Sequence, residues 1–247
     1  MKKIFIILGA VPLFVMASLT TYAATAPLAG NQSFSKAKKT LLKKVYYDHH
    51  ETFYCQVAFD IKRTKGKEKS VVDPVQDGFH YRKNKKRASR IEWEHVMPAE
   101  NFGKPLACWR NGDAMCVNSK GKSYKGRRCC TKVSAKYRLM QADMMNLVPA
   151  IGEVNGDRSN YRYADTNRSI KGQYGNCPIT TNFKERKTYP ADYTKGFIAR
   201  DYLYMSQKYG IKLSKQQLKM MEIWDLKYPV TAWELERKKR IEALQGK

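Results

Sequence analysis

The chain has 247 residues, enough for one substantial domain with its own core. Its 47 Lys+Arg against 22 Asp+Glu give a formal net charge of +25. So positive a surface seeks polyanions, because each neutralised phosphate releases condensed counterions. Beyond the N-terminus no stretch is long and apolar enough to span a bilayer, which argues against an integral membrane protein and leaves nucleic acid and acidic surfaces as partners.

The N-terminus reads as a secretory signal. Lys2 and Lys3 form a positive n-region, Ile4 to Leu19 a mostly apolar h-region, and Ala23 to Ala26 offer small residues for cleavage, after Ala23 or after Ala26. Residues 1–23 are therefore expected to be removed on export, and residues 24–247 to form the exported domain. Export makes disulfides the expected state of the six cysteines, Cys55, Cys108, Cys116, Cys129, Cys130 and Cys177, whose connectivity the spacing leaves open. A zinc site is the weaker reading, since no CxxC pair is present.

From Ser33 to Tyr47, Phe34, Leu41, Leu42 and Val45 fall at helical spacing among lysines, predicting a surface helix with a core face. Asp48 to Glu51 is read as a polar connection. Phe53, Cys55, Val57, Phe59 and Ile61 then alternate with more polar neighbours, predicting a strand, and residues 62–78 carry loop chemistry. Tyr81 to Arg90 holds six basic residues that run into Glu92-Trp93-Glu94-His95. A charge run is often just a solvated face. Leading up to a carboxylate beside an imidazole, it reads as a track for the phosphate backbone, because His takes a proton near neutral pH and a carboxylate holds a divalent metal.

The segment Cys108 to Cys130 is expected to be a loop stapled onto itself, with a second basic cluster that includes Arg127 and Arg128. Lys136 to Leu147 carries Tyr137, Met140, Met144 and Leu147 on one stripe, predicting a helix stopped by Pro149 from which Asn146 points away. Asn155-Gly156 is a turn signal, with Asp157 able to cap it and Arg158 assigned to backbone phosphate. The C-terminal third is predicted helical. One helix carries Ile198, Tyr202, Met205 and Tyr209 and is closed by Gly210, and two more open at the capping boxes Ser214/Gln217 and Thr231/Glu234.

Several motifs together resemble the bacterial endonuclease I family: Phe53-Tyr54-Cys55, Arg87-Ala88-Ser89-Arg90, Glu92 to Ala99, Asn146 to Ala150, Gly152 to Asn160 and Gly196 to Arg200. The resemblance implies an exported, disulfide-containing, Mg²⁺-dependent nuclease, in a single α+β domain whose ββα-metal (His-Me finger) core is surrounded by helices. In such a core a β-hairpin carries the base and the following helix a metal ligand. Carried over by position, His95 is the general base, and Glu94 and Asn146 hold one Mg²⁺, a site that Mn²⁺ or Ca²⁺ also fits. Arg127, ahead of the cysteine pair, contacts the phosphate. The resemblance also implies pairing of Cys55 with Cys177, two pairs within 108–130, and cleavage of DNA, and often RNA, to 5′-phosphates. Arg82, Lys83, Lys85, Lys86, Arg87, Arg90, Arg128 and Arg158 are expected to bind backbone, and the chain to act as a monomer in the periplasm or outside the cell. The rivals are a secreted cationic binding protein with no use for a metal-base pair, and an RNA-preferring nuclease of the same fold.

Overall fold

The computed structural model describes residues 30–64, 66–165 and 172–245. The expected signal segment lies outside them. Helix α1 (Phe34–Thr40) starts where the Ser33 side chain accepts from the Lys36 amide and continues into a wider turn over Leu41–Val45. Leu41 and Val45 face the core, as the spacing predicted, joined by Ala37, whereas Phe34 and Leu42 are half-buried.

The strand predicted over 53–61 does not form. Tyr54, Val57 and Phe59 are buried while Phe53 and Cys55 are only half-buried, so the alternation breaks between Tyr54 and Val57. Gln56 there takes φ 52°, and Thr52 accepts the Val57 amide on its side-chain hydroxyl. The segment is a tight loop held by the Cys55–Cys177 disulfide. The predicted loop after it instead carries most of a hairpin, β1 (Asp60–Thr64) and β2 (Lys67–Val71), which takes only Asp60 and Ile61 from the predicted strand and shows no apolar alternation to betray it.

Helix α2 (Lys85–Ala88) turns the basic run into β3 (Ile91–His95), followed by the short helices α3 (Ala99–Gly103) and α4 (Ala107–Arg110). The cysteine-rich segment is more helical than its composition suggested, since α5 (Arg127–Val133) carries both Cys129 and Cys130, bonded to Cys116 and Cys108 respectively. All three disulfides therefore agree with the pairing that the resemblance implies.

The helix predicted over 136–147 is shorter. Helix α6 (Ala135–Gln141) stops before Asp143, whose carboxylate caps a single 3₁₀ turn over Met144–Asn146. Tyr137, Met140, Met144 and Leu147 are nonetheless all buried. Strand β4 (Leu147–Ile151) pairs antiparallel with β3, setting Glu94 opposite Val148 and His95 opposite Leu147. Pro149 is accommodated because this sheet has two strands only, leaving one side of β4 without a ladder to complete. Helix α7 (Gly152–Arg158) follows β4 directly, so β3, β4 and α7 make the expected ββα unit.

Strands β5 (Arg162–Tyr163), β6 (Thr180–Asn182) and β7 (Lys187–Tyr189) form a small mixed sheet in the order β5-β7-β6. Three helices complete the domain. In α8 (Asp192–Tyr209) Ile198, Tyr202 and Met205 are fully buried, and Gly210 closes it in the left-handed conformation. Helices α9 (Lys215–Lys227) and α10 (Ala232–Gln245) begin at the two predicted capping boxes. No helix among the described residues is long and apolar enough to cross a membrane.

Candidate active site

The ββα unit forms one wall of a cleft of about 780 Å³ lined by Glu92, Glu94, His95, Asn155 and Arg158, with Arg127 from α5 and Phe34 and Lys38 from α1. Strand alternation would send Glu94 and His95 to opposite faces of a long sheet. Here they lie at the end of a two-stranded ribbon, and both line the cleft.

The imidazole of His95 is held by the main chain. Its Nε2 lies 2.9 Å from the Gln141 carbonyl, which can only accept, so Nε2 carries the proton and Nδ1 is left with a free lone pair. The ring stacks on Phe34, with centroids 5.0 Å apart and planes at 26°. Burial, reinforced by the nearby Arg127 charge, pushes its pKa down to about 3. His95 is therefore neutral at physiological pH, as a proton acceptor must be.

The Glu94 carboxylate is also buried. Oε1 accepts from the Tyr54 hydroxyl at 3.1 Å and from Arg158 Nη1 at 2.9 Å, whereas Oε2 accepts no hydrogen bond among the described residues. Burial raises its pKa to about 7, outweighing the pull of Arg158. A cation against Oε2 would hold it ionised. Tyr54 in turn makes a short contact with the Tyr163 hydroxyl, tying Glu94 into the core.

Asn146 is not in this cleft. It is fully buried, its Oδ1 accepting the Met97 amide at 2.7 Å and its Nδ2 donating to the Met97 carbonyl at 3.1 Å. Both ends of the amide are spent on fastening the chain just after His95. The asparagines that do line the cleft are Asn160, whose Oδ1 accepts from Arg186 at 3.3 Å, and Asn155 on α7. Its Nδ2 donates to Glu92 Oε2 at 2.9 Å, and its Oδ1 accepts nothing among the described residues. The sequence held a signal for it: the apolar run Leu147–Ile151 is the second strand, so the helix that should carry the ligand starts at Gly152. Asn155-Gly156 is helical rather than a turn, and a Cβ on Gly156 would lie 2.0 Å from Arg87 Nη1.

Glu94 Oε2 and Asn155 Oδ1 thus offer a carboxylate and a neutral oxygen in one cleft. That donor set suits Mg²⁺, which keeps several waters and takes few protein ligands. No group of three or more His, Cys, Asp or Glu suited to a metal occurs among the described residues.

The basic residues divide sharply. Arg158, assigned from sequence to phosphate, is fully buried and donates to Glu94, to the His95 carbonyl at 3.0 Å and to the Val96 carbonyl at 2.7 Å. It braces the site from behind. Arg87 and Arg90 both pair with Glu92 at 2.7 Å, and Arg82 grips both oxygens of Asp157 at 2.9 and 2.8 Å. Asp157 therefore neutralises Arg82, and Arg87 and Arg90 share the single charge of Glu92, while Lys83, Lys85 and Lys86 remain exposed. Arg128 lies on the Tyr124 ring, outside the cleft lining. Arg127 lies on the Phe34 ring inside it, with no carboxylate partner among the described residues.

A family model described as Endonuclease I matches residues 33–247. An extracellular deoxyribonuclease of Aeromonas hydrophila is 46% identical over 216 residues, 87% of this chain and 86% of that protein. A periplasmic deoxyribonuclease of the same organism is 44% identical over 229 residues, 92% and 89% of the two chains. Endonuclease-1 of Buchnera aphidicola subsp. Acyrthosiphon pisum is 41% identical over 215 residues, 87% and 78%. The strand-strand-helix unit, the paired cysteines and the full span of likeness lead to one conclusion: the chain belongs to the endonuclease I family.

Proposed function

We propose that this endonuclease hydrolyses DNA outside the cytoplasm with the help of one Mg²⁺, using His95 as general base. The observation that carries the reading is the fixed tautomer of His95: a carbonyl holds Nε2–H, which leaves the lone pair on Nδ1, and the residue lines a cleft that also presents Glu94 and Asn155. Nδ1 takes the proton of a water attacking phosphorus. Arg127 sets its guanidinium against the phosphate and offsets the charge that builds there. Glu94 and Asn155 hold the metal, and Arg158 keeps Glu94 in place. A Mg²⁺ held by Glu94 and Asn155 would supply charge neutralisation at the scissile phosphate and an acidified water for the leaving 3′ oxygen. Departure of that oxygen leaves a 5′-phosphate.

Binding in this reading is through the backbone, since unpaired cations and not base-reading elements surround the cleft, so little sequence preference is expected. The test is cleavage of supercoiled plasmid by the oxidised mature protein with Mg²⁺, with EDTA and with His95→Ala. Cleavage that needs Mg²⁺ and falls on the order of 10²–10⁴-fold in the variant is expected for a lost general base. A wild-type protein that shifts plasmid on a gel yet leaves it intact with every metal tried would return the chain to the cationic binding protein. Parallel assays with RNA of equal length measure substrate preference.

A further inference from the structure

The cleft holds four cations, Lys38, Arg87, Arg127 and Arg158, together with Glu92, Glu94 and Glu100. Arg87 is consumed by Glu92 and Arg158 by Glu94. Lys38 and Arg127 have no carboxylate partner among the described residues. Instead both rest on one aromatic ring, the Lys38 Nζ 4.7 Å and the Arg127 Cζ 5.4 Å from the centroid of Phe34. That same ring stacks on His95. Phe34 and Lys38 are four residues apart on α1, which places them one above the other on a single helix face.

Two like charges gathered on one ring, beside a buried neutral imidazole, repel each other and await an anion. The ring quadrupole offsets only part of that repulsion.

From this arrangement we infer that Lys38 is a phosphate-binding residue of the cleft, paired with Arg127 across Phe34 and supplied by the first helix of the domain. The inference rests on the reading of the cleft as a phosphodiester site. The ligand is a backbone phosphate of the substrate strand, and α1 becomes part of the active site, not merely a cover on the core.

The experiment is the salt dependence of binding. Affinity for a duplex oligonucleotide in EDTA, where the metal-dependent reaction is silent, is measured by fluorescence anisotropy across a range of salt for wild type, Lys38→Gln and Lys38→Arg. Each phosphate contact contributes about 0.9 to the slope of log K against log salt. Lys38→Gln is expected to lower the slope by about 0.9 and to weaken binding about eightfold at ~0.1 M salt, with an unchanged melting temperature. Lys38→Arg keeps the charge and is expected to restore both. A Lys38→Gln slope equal to wild type, or a loss of affinity that is the same at every salt concentration, overturns the assignment. Failure of the nuclease reading looks different: wild type itself would then cleave nothing with any divalent metal, whatever its slope.

Discussion

Arg158→Met is the perturbation on which phosphate binding and structural bracing predict opposite outcomes. Methionine keeps much of the volume and removes every hydrogen bond. Arg158 is fully buried and serves the Glu94 carboxylate and two carbonyls, so its loss strands a buried charge. Removing one partner of a buried pair costs about 3–5 kcal/mol. Each orphaned carbonyl adds about 1–3 kcal/mol where water cannot reach it. Relaxation makes these terms less than additive, and a total of roughly 4–6 kcal/mol follows, a large part of the 5–15 kcal/mol that typically holds a domain together. For a chain of this length each kcal/mol shifts the melting temperature by about 2–4 °C, so a fall of roughly 10–20 °C is expected. Thermal unfolding with the disulfides intact measures it, and the salt slope of DNA binding should stay at the wild-type value. A variant within about 1 kcal/mol of wild type whose slope drops by about 0.9, the signature of a lost phosphate contact, would refute the bracing role.

The two asparagines separate in the same way. Asn155→Ala is expected to raise the Mg²⁺ concentration needed for half-maximal cleavage at least tenfold with little change in melting temperature, whereas Asn146→Ala, by freeing the Met97 amide and carbonyl, costs roughly 1–3 kcal/mol of stability. Asp201 is buried, and burial pushes its pKa well above the usual carboxylate range although Arg237 pulls the other way. A carboxyl with a raised folded pKa contributes stability that is present below the unfolded value and lost as pH rises through the folded one. Asp201→Asn should therefore stabilise the protein increasingly as pH climbs above about 4, and melting curves at pH 4 and pH 8 that shift equally would count against it. Replacing Cys116 and Cys129 by serine opens a link across 13 residues and is expected to cost roughly 3 kcal/mol in urea unfolding.

What the sequence made legible were features written in neighbouring residues. Glu94-His95, the capping boxes at Ser214 and Thr231, and the C-terminal stop at Gly210 each depend on local chemistry and stand where they were expected. The features it hid depend on partners far away in the chain. Arg82 looks like a phosphate ligand until Asp157, 75 residues on, closes its fork. In a string Asn146 and Asn155 differ only in standing before and after the apolar run Leu147–Ile151, and the pairing of that run with β3 turns one inward onto Met97 and leaves the other facing the cleft. The alternation from Phe53 to Ile61 mimics a strand because a disulfide-anchored loop also needs apolar residues to pack. The hairpin β1–β2 went unseen for the opposite reason, since its residues are polar and largely exposed.

The partner that orients His95 is a peptide oxygen, and no substitution at position 141 deletes a peptide oxygen. Where a catalytic histidine leans on an acidic side chain, one point mutation can turn the ring or swap its tautomer. Here that route to inactivation is closed, and codon 141 should tolerate drift as long as α6 ends in the same place. The vulnerability moves to the path of the backbone, so insertions or deletions between α6 and β4 should silence the enzyme where amino-acid exchanges at position 141 do not.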